Sequence, residues 1–531
     1  MTATRTAWQA LNENDAGWDI IVVGGGITGA GILREAARRG LKALLIEQKD
    51  FAWGTSSRSS KMVHGGLRYI AQLDIKLTKH SVLERERLLK EAPGLVNRLG
   101  YLFTLRKGQF PGKLIFNGLL AVYDSLAGIK THDYFENAAL QKRVPGINTD
   151  DLKGASYYTD AVTDDARLVM RVLNAAVADG AQIINYCRAE TLEREGNRVT
   201  GIRLLDQVSG ESKTLKARVI VNATGAWVDH LRTQMGHAKQ IRPLRGSHLV
   251  IPRALAPVSD SLTLFHPKDK RPVFLFPWEG ATIIGTTDLD HDGDLNLEPG
   301  ITQAEVDYLL EAARTLFTRA NIGEKDVIST WAGVRPVISQ DKSKDPSKES
   351  REHEVWIDQG LITVSGGKLT TFRLIALDVI QAAKPFLGPI GNAKGEQVLQ
   401  SLHLSANSLG VKDLEWAERL LGRYGDAAKP LLEQASAEEK TLVGNTQFCL
   451  AEARWAAQHE WVVHLDDLLL RRTRIGNLLP EGGASILPAL KPVCQQVMGW
   501  DDARWDTEVQ RYLTLWQQSY SLPAKRRASA A

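Results

Sequence analysis

Residues 19–50, DIIVVGGGITGAGILREAARRGLKALLIEQKD, constrain the fold of this chain more than any other stretch. The run DIIVV predicts a buried parallel strand, because it is short, apolar and rich in β-branched residues. Residues 27–39 then place alanine and leucine on one face, which predicts a helix, and KALLIE predicts a second strand. A strand, a helix and a strand in this order predict an α/β fold built on a parallel sheet.

Three glycines lie between the first strand and the helix, in the spacing Gly24-x-Gly26-x-x-Gly29. The first allows a tight turn, the second lets the backbone approach a pyrophosphate, and the third lets the helix pack close to the strand. The helix N-terminus directs its N–H groups and positive dipole end at a bound phosphate. Glu47 ends the second strand about 20 residues later, where an acidic side chain binds a ribose. The stretch therefore predicts a dinucleotide site, without separating NAD from FAD.

The next motif, GTSSRSSKMVHGGLRYI at residues 54–70, favours FAD. An NAD enzyme would continue into another βαβ unit, whereas here a polar loop rich in glycine and hydroxyl groups follows the second strand. Gly65 and Gly66 allow the backbone to approach a flat ring. The hydroxyl groups that can bond a diphosphate belong to Thr55, Ser56 and Ser57. The alternative interpretation is a flexible serine loop without a ligand.

Six motifs along the chain together resemble one family. In order they are VVGGGITGAG, GTSSRSSKMVHGGLRYI, NATGAW (222–227), GTTD (285–288), WAGVRP (331–336) and SGGKLTTFR (365–373). This set resembles the FAD-dependent glycerol-3-phosphate dehydrogenases of aerobic bacteria, over about residues 17–520. The resemblance implies an α/β fold with a Rossmann-like FAD-binding domain, interrupted by a β-rich substrate domain and followed by an all-helical C-terminal domain.

The spacing of apolar residues along the chain agrees with this domain organisation. GSHLVIP, RPVFLFPWEG and ATIIGTTD alternate like antiparallel strands, with a hairpin at WEGA, and AQIINYCRAET near residues 181–191 predicts a strand. From about residue 400, apolar residues spaced by three and four predict amphipathic helices. The predicted divisions are a tail over 1–17, the FAD-binding domain over 18–395 with the inserted substrate domain at about 91–160 and 236–328, a helical domain over 400–520 and a disordered tail over 521–531.

The resemblance also implies which residues contact FAD. Arg188 would lie near the adenine, mainly through its backbone, and the turn at residues 366–369 would cover the flavin ring. The whole implied set is Gly24, Gly26, Ile27, Thr28, Gly29, Glu47, Gln48, Thr55, Ser56, Ser57, His64, Gly65, Gly66, Leu67, Arg188, Ala223, Thr224, Gly225, Gly333, Gly366, Gly367, Lys368, Leu369 and Thr370.

The substrate that the resemblance implies is glycerol 3-phosphate, a small dianion that needs cations around it. The implied substrate-binding residues are Arg68, Tyr69, Arg335, Arg351 and Lys368. Lys368 could instead be a solvated surface lysine, and Arg351 lies in a polar loop that composition alone makes a surface segment.

Oxidation of the substrate at C2 sends a hydride to the flavin and requires a base for the hydroxyl proton. His64 and His248 are both candidates, because neutral histidine accepts a proton near pH 7. Arg335 and Lys368 would stabilise the developing alkoxide. The sequence leaves the choice of base open.

A second cluster of charged residues lies in the C-terminal segment VVHLDDLLLRRTRIG. It comprises His464, Asp466, Asp467, Arg471, Arg472 and Arg474. We interpret it as the solvated face of an amphipathic helix with helix-end ion pairs, in preference to a binding site.

The charge and amino-acid composition of the chain limit its expected binding partners and its expected cellular compartment. A net charge of +4 gives no indication of nucleic acid. Three widely spaced cysteines predict a reduced, cytoplasmic compartment and no metal site. No apolar signal-peptide core precedes residue 18, and no run approaches the roughly 18 apolar residues of a membrane span.

The segment LRKGQFPGKLIFNGLLAVYDSLAG at residues 105–128 mixes basic and apolar side chains. This composition suits an interfacial segment on an anionic membrane, and a buried helix with a basic lead-in is the alternative. The resemblance favours a peripheral enzyme on the inner face of the cytoplasmic membrane that reduces ubiquinone, with a homodimer possible. Two rival functions remain: an FAD-dependent oxidase acting on glycerol 3-phosphate or an amine, and a non-catalytic flavin-binding sensor.

Overall fold

The computed structural model describes residues 3–11, 17–71, 74–339, 349, 352–395 and 397–528. The strands are β1 Trp18–Val23, β2 Ala43–Ile46, β3 Met62–Val63, β4 Val96–Arg106, β5 Asp133–Glu136, β6 Leu152–Thr163, β7 Gln182–Ile184, β8 Cys187–Glu195, β9 Arg198–Asp206, β10 Ser212–Asn222, β11 Ile241–Pro252, β12 Ser261–Phe265, β13 Pro272–Trp278, β14 Ala281–Gly285, β15 Leu289–Asp290, β16 Ser329–Ile338, β17 His353–Ile357 and β18 Leu361–Gly366.

Helices cover both sheets and form most of the C-terminal segment. They are α1 Ala3–Ala10, α2 Ile27–Ala37, α3 Leu67–Ala71, α4 Ile75–Glu91, α5 Lys113–Ala127, α6 Asn137–Arg143, α7 Asp165–Ala178, α8 Asp229–Gln234, α9 Gln303–Leu316, α10 Phe372–Leu387, α11 Leu414–Tyr424, α12 Ala428–Glu433, α13 Leu450–His459, α14 Ile475–Leu478, α15 Leu487–Met498, α16 Asp502–Ser519 and α17 Pro523–Ala528. Among these described helices, none combines the length and the apolar character that crossing a membrane requires.

The first sheet contains the βαβ unit that the sequence predicts. Its strand order is β17-β18-β10-β1-β2-β7, and β10, β1, β2 and β7 run parallel. Ile20 and Val22 pack under α2, α7 and α10, whereas Ile21 faces the opposite core beneath β8–β10 and α1. Strand β1 is buried on both faces, which explains its unbroken apolar run.

The second sheet is largely antiparallel and contains β3, β4, β6 and β11–β16, with β5 paired to β6. Strands β11 and β14 pair antiparallel, as do β13 and β14 across the predicted WEGA hairpin. Helix α9 packs its buried face on this sheet. The sheet extends beyond the predicted ranges 91–160 and 236–328, because β16 pairs with β11 along nearly its whole length.

Three local predictions differ from the structure. The stretch 181–191 forms two strands, because Tyr186 adopts a positive φ of 53° between β7 and β8. The predicted N-terminal tail carries α1, whose Trp8 is buried and donates its indole N–H to Glu211 at 2.9 Å. The predicted disordered tail is wrong for residues 521–528, because Leu522 is buried and α17 follows it.

The prediction of a solvated face at residues 464–474 is also wrong. Residues Asp467–Arg472 form a π-helical turn, and Arg471, Arg472 and Arg474 are each at most 1% exposed. Besides the local partners Asp466 and Asp467 of Arg471, their carboxylate partners include residues far earlier in the chain. The resulting interdomain ion network comprises Asp50, Lys61, Asp164, Asp165, Arg167, Arg423, Glu460, Arg471, Arg472 and Arg474.

Opposite charges in this network lie close together. Arg472 donates to both oxygens of Asp50 at 2.7 Å, and Arg474 donates to Asp164 at 2.8 Å. Lys61 donates to Asp165 at 2.7 Å, and burial lowers the pKa of Lys61 to about 8. The network therefore joins the loop after β2, the start of α7 and the C-terminal helices.

Candidate functional site

The turn between β1 and α2 is shaped by its glycines. Gly24 has a φ of 114°, which side chains with a Cβ rarely adopt. A Cβ at Gly29 would overlap the carbonyl oxygen of Gly24, so this glycine lets α2 pack directly on the strand end. Ser56 lies across the turn, and its Oγ accepts the N–H of Ile27 at 3.0 Å. The helix therefore begins directly at the glycine turn, where its positive dipole end would face a bound phosphate.

Glu47 ties the second strand end to the same turn. Its Oε2 accepts the N–H of Gly25 at 2.7 Å, and its Oε1 accepts the N–H of Lys49 at 2.9 Å. Burial raises the pKa of Glu47, and both backbone N–H groups oppose that effect. The carboxylate is thus held at the mouth of the turn, where a ribose hydroxyl pair would meet it.

A cavity of about 1180 Å³ opens along this turn. It is larger than the roughly 300–1,000 Å³ typical of small-ligand pockets. The sequence-predicted residues that line it are Gly24, Gly26, Ile27, Thr28, Glu47, Gln48, Thr55, Ser56, Arg188, Ala223, Thr224, Gly225, Gly366, Gly367, Lys368 and Leu369. Motifs that are far apart in sequence therefore meet around one elongated space.

Other predicted residues lie beside this cavity or elsewhere in the fold. The described ones outside its lining are Gly29, Ser57, His64, Gly65, Gly66, Leu67, Tyr69, His248, Gly333, Arg335 and Thr370. Arg351 and the side chain of Arg68 lie outside the described part of the chain. The backbone of His64 is bonded through both its N–H and its carbonyl to Thr370 Oγ1, at 3.2 Å each.

The lining also contains residues that the sequence predictions missed. They include Trp53, Gly54, Trp227, Ile241, Pro243, Leu295, Asn296 and Pro336. Trp53 and Trp227 pack against each other with ring centroids 5.5 Å apart; Trp53 precedes the motif at residues 54–70, and Trp227 ends the motif NATGAW. Residues 293–296 carry no motif, so only the folded chain brings that loop to the cavity.

One face of the second sheet carries large polar and aromatic side chains next to glycines. We call it the glycine-rich face; it comprises Gly246, His248, Gly285, Trp331, Gly333 and Arg335 on β11, β14 and β16. A Cβ at Gly246 would overlap the Arg335 guanidinium, and one at Gly285 would overlap the His248 ring. The loop before β3 crosses at Gly333, where an added Cβ would overlap the carbonyl oxygen of Arg58, so a side chain would not fit.

His248 is fully buried in this face. Its ring stacks on Trp331 with centroids 5.0 Å apart, and its Nε2 lies 2.9 Å from Ser60 Oγ. Burial above all, followed by the charges of Arg335 and Lys61, holds the pKa of His248 well below its usual 6.5. The imidazole is therefore neutral at neutral pH and able to accept a proton.

Arg335 supplies positive charge on the glycine-rich face, and Lys368 supplies it on the cavity wall. Arg335 donates to Asp288 Oδ1 at 3.0 Å and to Thr286 Oγ1 at 3.2 Å, and its side chain is 24% exposed. Lys368 lines the cavity, donates to Ser81 Oγ at 2.5 Å and lies 4.5 Å from the centre of the Tyr69 ring. Neither cation is fully buried, whereas the arginines of the interdomain ion network are.

The fold and this cavity define a class of protein. The cavity lies between the carboxyl ends of a parallel sheet and the edge of a second, antiparallel sheet, at a glycine turn fitted to a pyrophosphate. Its positive-φ glycines, Gly225, Gly366 and Gly367, leave its wall open to the approach of a flat ring. The residues present thus fit FAD, and the class is that of two-domain dinucleotide-binding flavoproteins.

Comparisons with known protein families are consistent with this class and narrow it. Residues 19–381 match the family described as FAD dependent oxidoreductase, and residues 391–505 match the C-terminal domain of alpha-glycerophosphate oxidase. The chain belongs to the aerobic glycerol-3-phosphate dehydrogenases within the FAD-dependent oxidoreductases. Its cofactor is FAD, and both the resemblance and the fold class predicted from sequence are confirmed.

Individual relatives span most of the chain. The aerobic glycerol-3-phosphate dehydrogenase of Staphylococcus epidermidis is 36% identical over 490 residues, 87% of each chain. The Staphylococcus aureus enzyme is 34% identical over 484 residues, 86% of each chain. The structure of the Bacillus halodurans glycerol-3-phosphate dehydrogenase complexed with FAD has a TM-score of 0.77 at 27% identity, covering 97% of this chain and 98% of that one.

A more distant structure shares the fold alone. The L-alpha-glycerophosphate oxidase of Mycoplasma pneumoniae has a TM-score of 0.56 at 16% identity, covering 73% of this chain and 99% of that one. Oxidase and dehydrogenase thus share this architecture, so the fold does not distinguish oxygen from another electron acceptor.

Proposed function

We propose that this protein oxidises sn-glycerol 3-phosphate to dihydroxyacetone phosphate and passes the two electrons to a membrane quinone. The single observation that carries the substrate assignment is the Lys368 ammonium on the cavity wall, directly after the Gly366-Gly367 turn. The relatives that match most of the chain are named aerobic glycerol-3-phosphate dehydrogenases, which supports the substrate part of this proposal. When bound, FAD supplies a two-electron acceptor for a hydride.

The phosphate would be bound by Lys368 and Arg335, two cations that the core does not enclose. Lys368 provides a point charge, and the planar Arg335 guanidinium provides donors that match phosphate oxygens. Arg68, from its motif, and Arg351, from the resemblance to the family, remain further candidates. Arg335 is bonded to Asp288 and Thr286 and keeps 24% of its side chain exposed, so an incoming anion can reach its guanidinium.

The C2 hydroxyl of the substrate loses a proton as C2 loses a hydride, so that the alcohol becomes a ketone. His248 supports the role of base because its neutral imidazole lies on the glycine-rich face with Arg335. Its Nδ1 is buried without a hydrogen-bond partner among the described residues. His64 remains the alternative base, since its backbone is bonded to Thr370 beside the Gly-Gly turn.

The membrane assignment rests on helix α5 and the loop before it. Phe110 is 76% exposed and Leu114 is 88% exposed, and the basic side chains of Lys107 and Lys113 lie nearby in sequence. The opposite face of α5 is buried through Phe116, so one helix presents an apolar surface to solvent and another to the core. Such a surface suits peripheral binding to an anionic bilayer.

The test of the function is an anaerobic titration. Glycerol 3-phosphate is added to the detergent-purified holoenzyme without oxygen, and the visible absorption of the flavin is followed. We expect rapid bleaching that a soluble quinone reverses and that air reverses only slowly. Immediate reversal by air would favour the oxidase, a candidate supported by the C-terminal match. Absence of bleaching would overturn the substrate, and a flavin silent toward amines and amino acids as well would favour a sensor.

The membrane proposal has its own measurement. Co-sedimentation with vesicles of anionic phospholipid is compared for the wild-type protein and the Leu114→Ser variant. Loss of one exposed leucine removes about 1.5–3 kcal/mol of apolar transfer, so binding is expected to weaken about tenfold or more. Leu414→Ser, which removes an exposed leucine from α11, is the matched control for a surface substitution. Equal binding of the Leu114→Ser variant and the wild type would contradict the proposal.

A further inference from the structure

Helix α4 makes two polar contacts with the turn that carries Lys368. Ser81 on this helix accepts a hydrogen bond from Lys368 Nζ at 2.5 Å. One turn further along, Glu84 accepts two hydrogen bonds from Arg373, at 2.9 Å and 2.5 Å. The short helical turn Leu369–Thr371 is therefore held at both of its ends by one helix. Neither Ser81 nor Glu84 belongs to a motif that the sequence singled out.

The hydrogen-bond direction at Ser81 follows from its second contact. Ser81 is completely buried, and its hydroxyl donates to the carbonyl oxygen of Leu77 at 2.7 Å. A hydroxyl has one proton to donate and two lone pairs to accept with. Because an ammonium group only donates and the Ser81 proton is used on Leu77, Ser81 Oγ accepts from Lys368 with one of its lone pairs.

The position of the Lys368 ammonium is consequently determined by its surroundings. A lysine side chain has four rotatable carbons and loses about 2 kcal/mol of rotamer freedom when it is fixed. Ser81 holds Nζ from one side, and the buried Tyr69 ring lies 4.5 Å away on another. The orientation is thus largely established before a substrate arrives, which reduces the entropy lost on binding.

We propose that Ser81 is a positioning residue for substrate binding, which fixes the Lys368 ammonium where it meets the substrate phosphate. This inference rests on the proposed function of Lys368 as a phosphate-binding cation. Ser81 acts through Lys368, so its removal weakens binding of the phosphate. Because Lys368 is also a candidate to stabilise the alkoxide, kcat is expected to change as well, but much less than KM.

The test is a double-mutant cycle with Ser81→Ala and Lys368→Met, using the FAD-loaded full-length protein. Two quantities are measured: the KM and kcat for glycerol 3-phosphate, and the inhibition constant of inorganic phosphate. For Ser81→Ala we expect both KM and the inhibition constant to rise about tenfold, as for loss of one charge-assisted hydrogen bond, with kcat nearly unchanged. In the Lys368→Met background, Ser81→Ala is expected to have no further effect.

Two more variants control for simple damage to α4. Thr78→Ala removes another buried hydroxyl from the same helix, one that donates only to the Asp74 carbonyl at 2.9 Å. It is expected to match Ser81→Ala in urea midpoint and flavin content while leaving the phosphate inhibition constant unchanged. Ser81→Thr keeps the hydroxyl and is expected to restore most of the affinity.

The outcomes separate this inference from the function on which it rests. If Ser81→Ala raises the phosphate inhibition constant equally with and without Lys368, Ser81 does not act through that lysine and the inference is overturned. The inference is also overturned if Ser81→Ala lowers kcat and leaves KM unchanged. If Lys368→Met alone changes neither constant, the phosphate role of Lys368 fails first, and the role of Ser81 fails with it.

Discussion

The interdomain ion network and the glycine-rich face are both polar regions inside the molecule, and they are built in opposite ways. In the network, Arg472 and Asp50 are both fully buried and bond each other twice at 2.7 Å. On the glycine-rich face, Arg335 keeps 24% of its side chain exposed and stands over a residue without a Cβ. Enclosed, ion-paired charge fixes the packing of distant segments, whereas partly exposed charge is accessible to a ligand.

The largest expected effect comes from breaking the network. Arg472→Met leaves Asp50 buried with Arg471 as its remaining cationic partner, and should lower the free energy of unfolding by about 3–5 kcal/mol. The urea midpoint measures this change. Lys525→Met, which removes an exposed pair with Glu481, should change it by at most about 1 kcal/mol.

A second variant keeps this prediction testable if Arg472→Met does not fold. Replacing both partners, Asp50→Leu with Arg472→Met, removes the uncompensated charge and should recover part of the lost stability. Equal urea midpoints for Arg472→Met and the wild type would show that this pair does not hold the segments together.

The matching substitution on the glycine-rich face should affect catalysis in place of stability. Arg335→Met is expected to lower kcat/KM for glycerol 3-phosphate about 100-fold, equivalent to about 2.7 kcal/mol, with a nearly unchanged urea midpoint. Arg271→Met is the control, because Arg271 also donates to Asp288, in its case to the backbone carbonyl oxygen at 3.1 Å. A stability loss as large as that of Arg472→Met would erase the contrast between the two regions.

The pH dependence of stability examines His248 directly. Its folded pKa lies below its unfolded value of 6.5, so the unfolded chain takes up this proton first as the pH falls. The stabilisation from the neutral buried ring is complete above pH 6.5 and is lost as the pH falls through the folded pKa. Urea midpoints of the wild type and of His248→Asn, compared between about pH 5 and pH 7, measure this loss of stability. The pH range is chosen to reach below the ordinary histidine pKa of about 6.5.

We expect the wild-type midpoint to fall more steeply toward low pH than that of His248→Asn. His80→Asn, at an exposed position on α4, should leave the slope unchanged. Parallel slopes for all three proteins would indicate that His248 is no more neutral than an exposed histidine.

The smallest expected effect concerns glycines outside both regions. A Cβ at Gly118 on α5 meets nothing within 4 Å, so Gly118→Ala should stabilise the helix by about 0.5–1 kcal/mol. Gly422 on α11 is the opposite case, because a Cβ there would overlap the backbone of Leu95. Gly422→Ala should therefore be destabilising, and urea midpoints of both variants would show whether space alone decides the sign.

Several features of the site could be predicted from short stretches of sequence. The spacing of Gly24, Gly26 and Gly29 predicted the turn and the start of α2, and Glu47 was expected at the end of β2, where it lies. These features are local, because strand, turn and helix are specified by residues within about 30 positions of one another. The roles of individual residues toward FAD and the substrate stay predictions.

The charged segment at residues 464–474 shows where local patterns are insufficient. Its spacing resembles an amphipathic helix with a solvated face, yet Arg472 and Arg474 are buried. Their partners Asp50 and Asp164 are separated from them by 422 and 310 positions. A periodic pattern identifies which residues share a face of a helix, but it carries no information about what will cover that face.

The sequence by itself determined the βαβ unit, its glycine turn and the family of the protein, because motif residues near one another in the chain define those features. Only the tertiary structure decided which distant groups would meet: Ser81 with Lys368, Ser60 with His248, and Asp50 with Arg472. The physical reason is that burial and hydrogen bonding depend on the whole packed arrangement. The side chain of a serine or an arginine has the same chemistry in every sequence. Its partner in the folded chain decides whether it positions another group, binds a ligand or forms a structural ion pair.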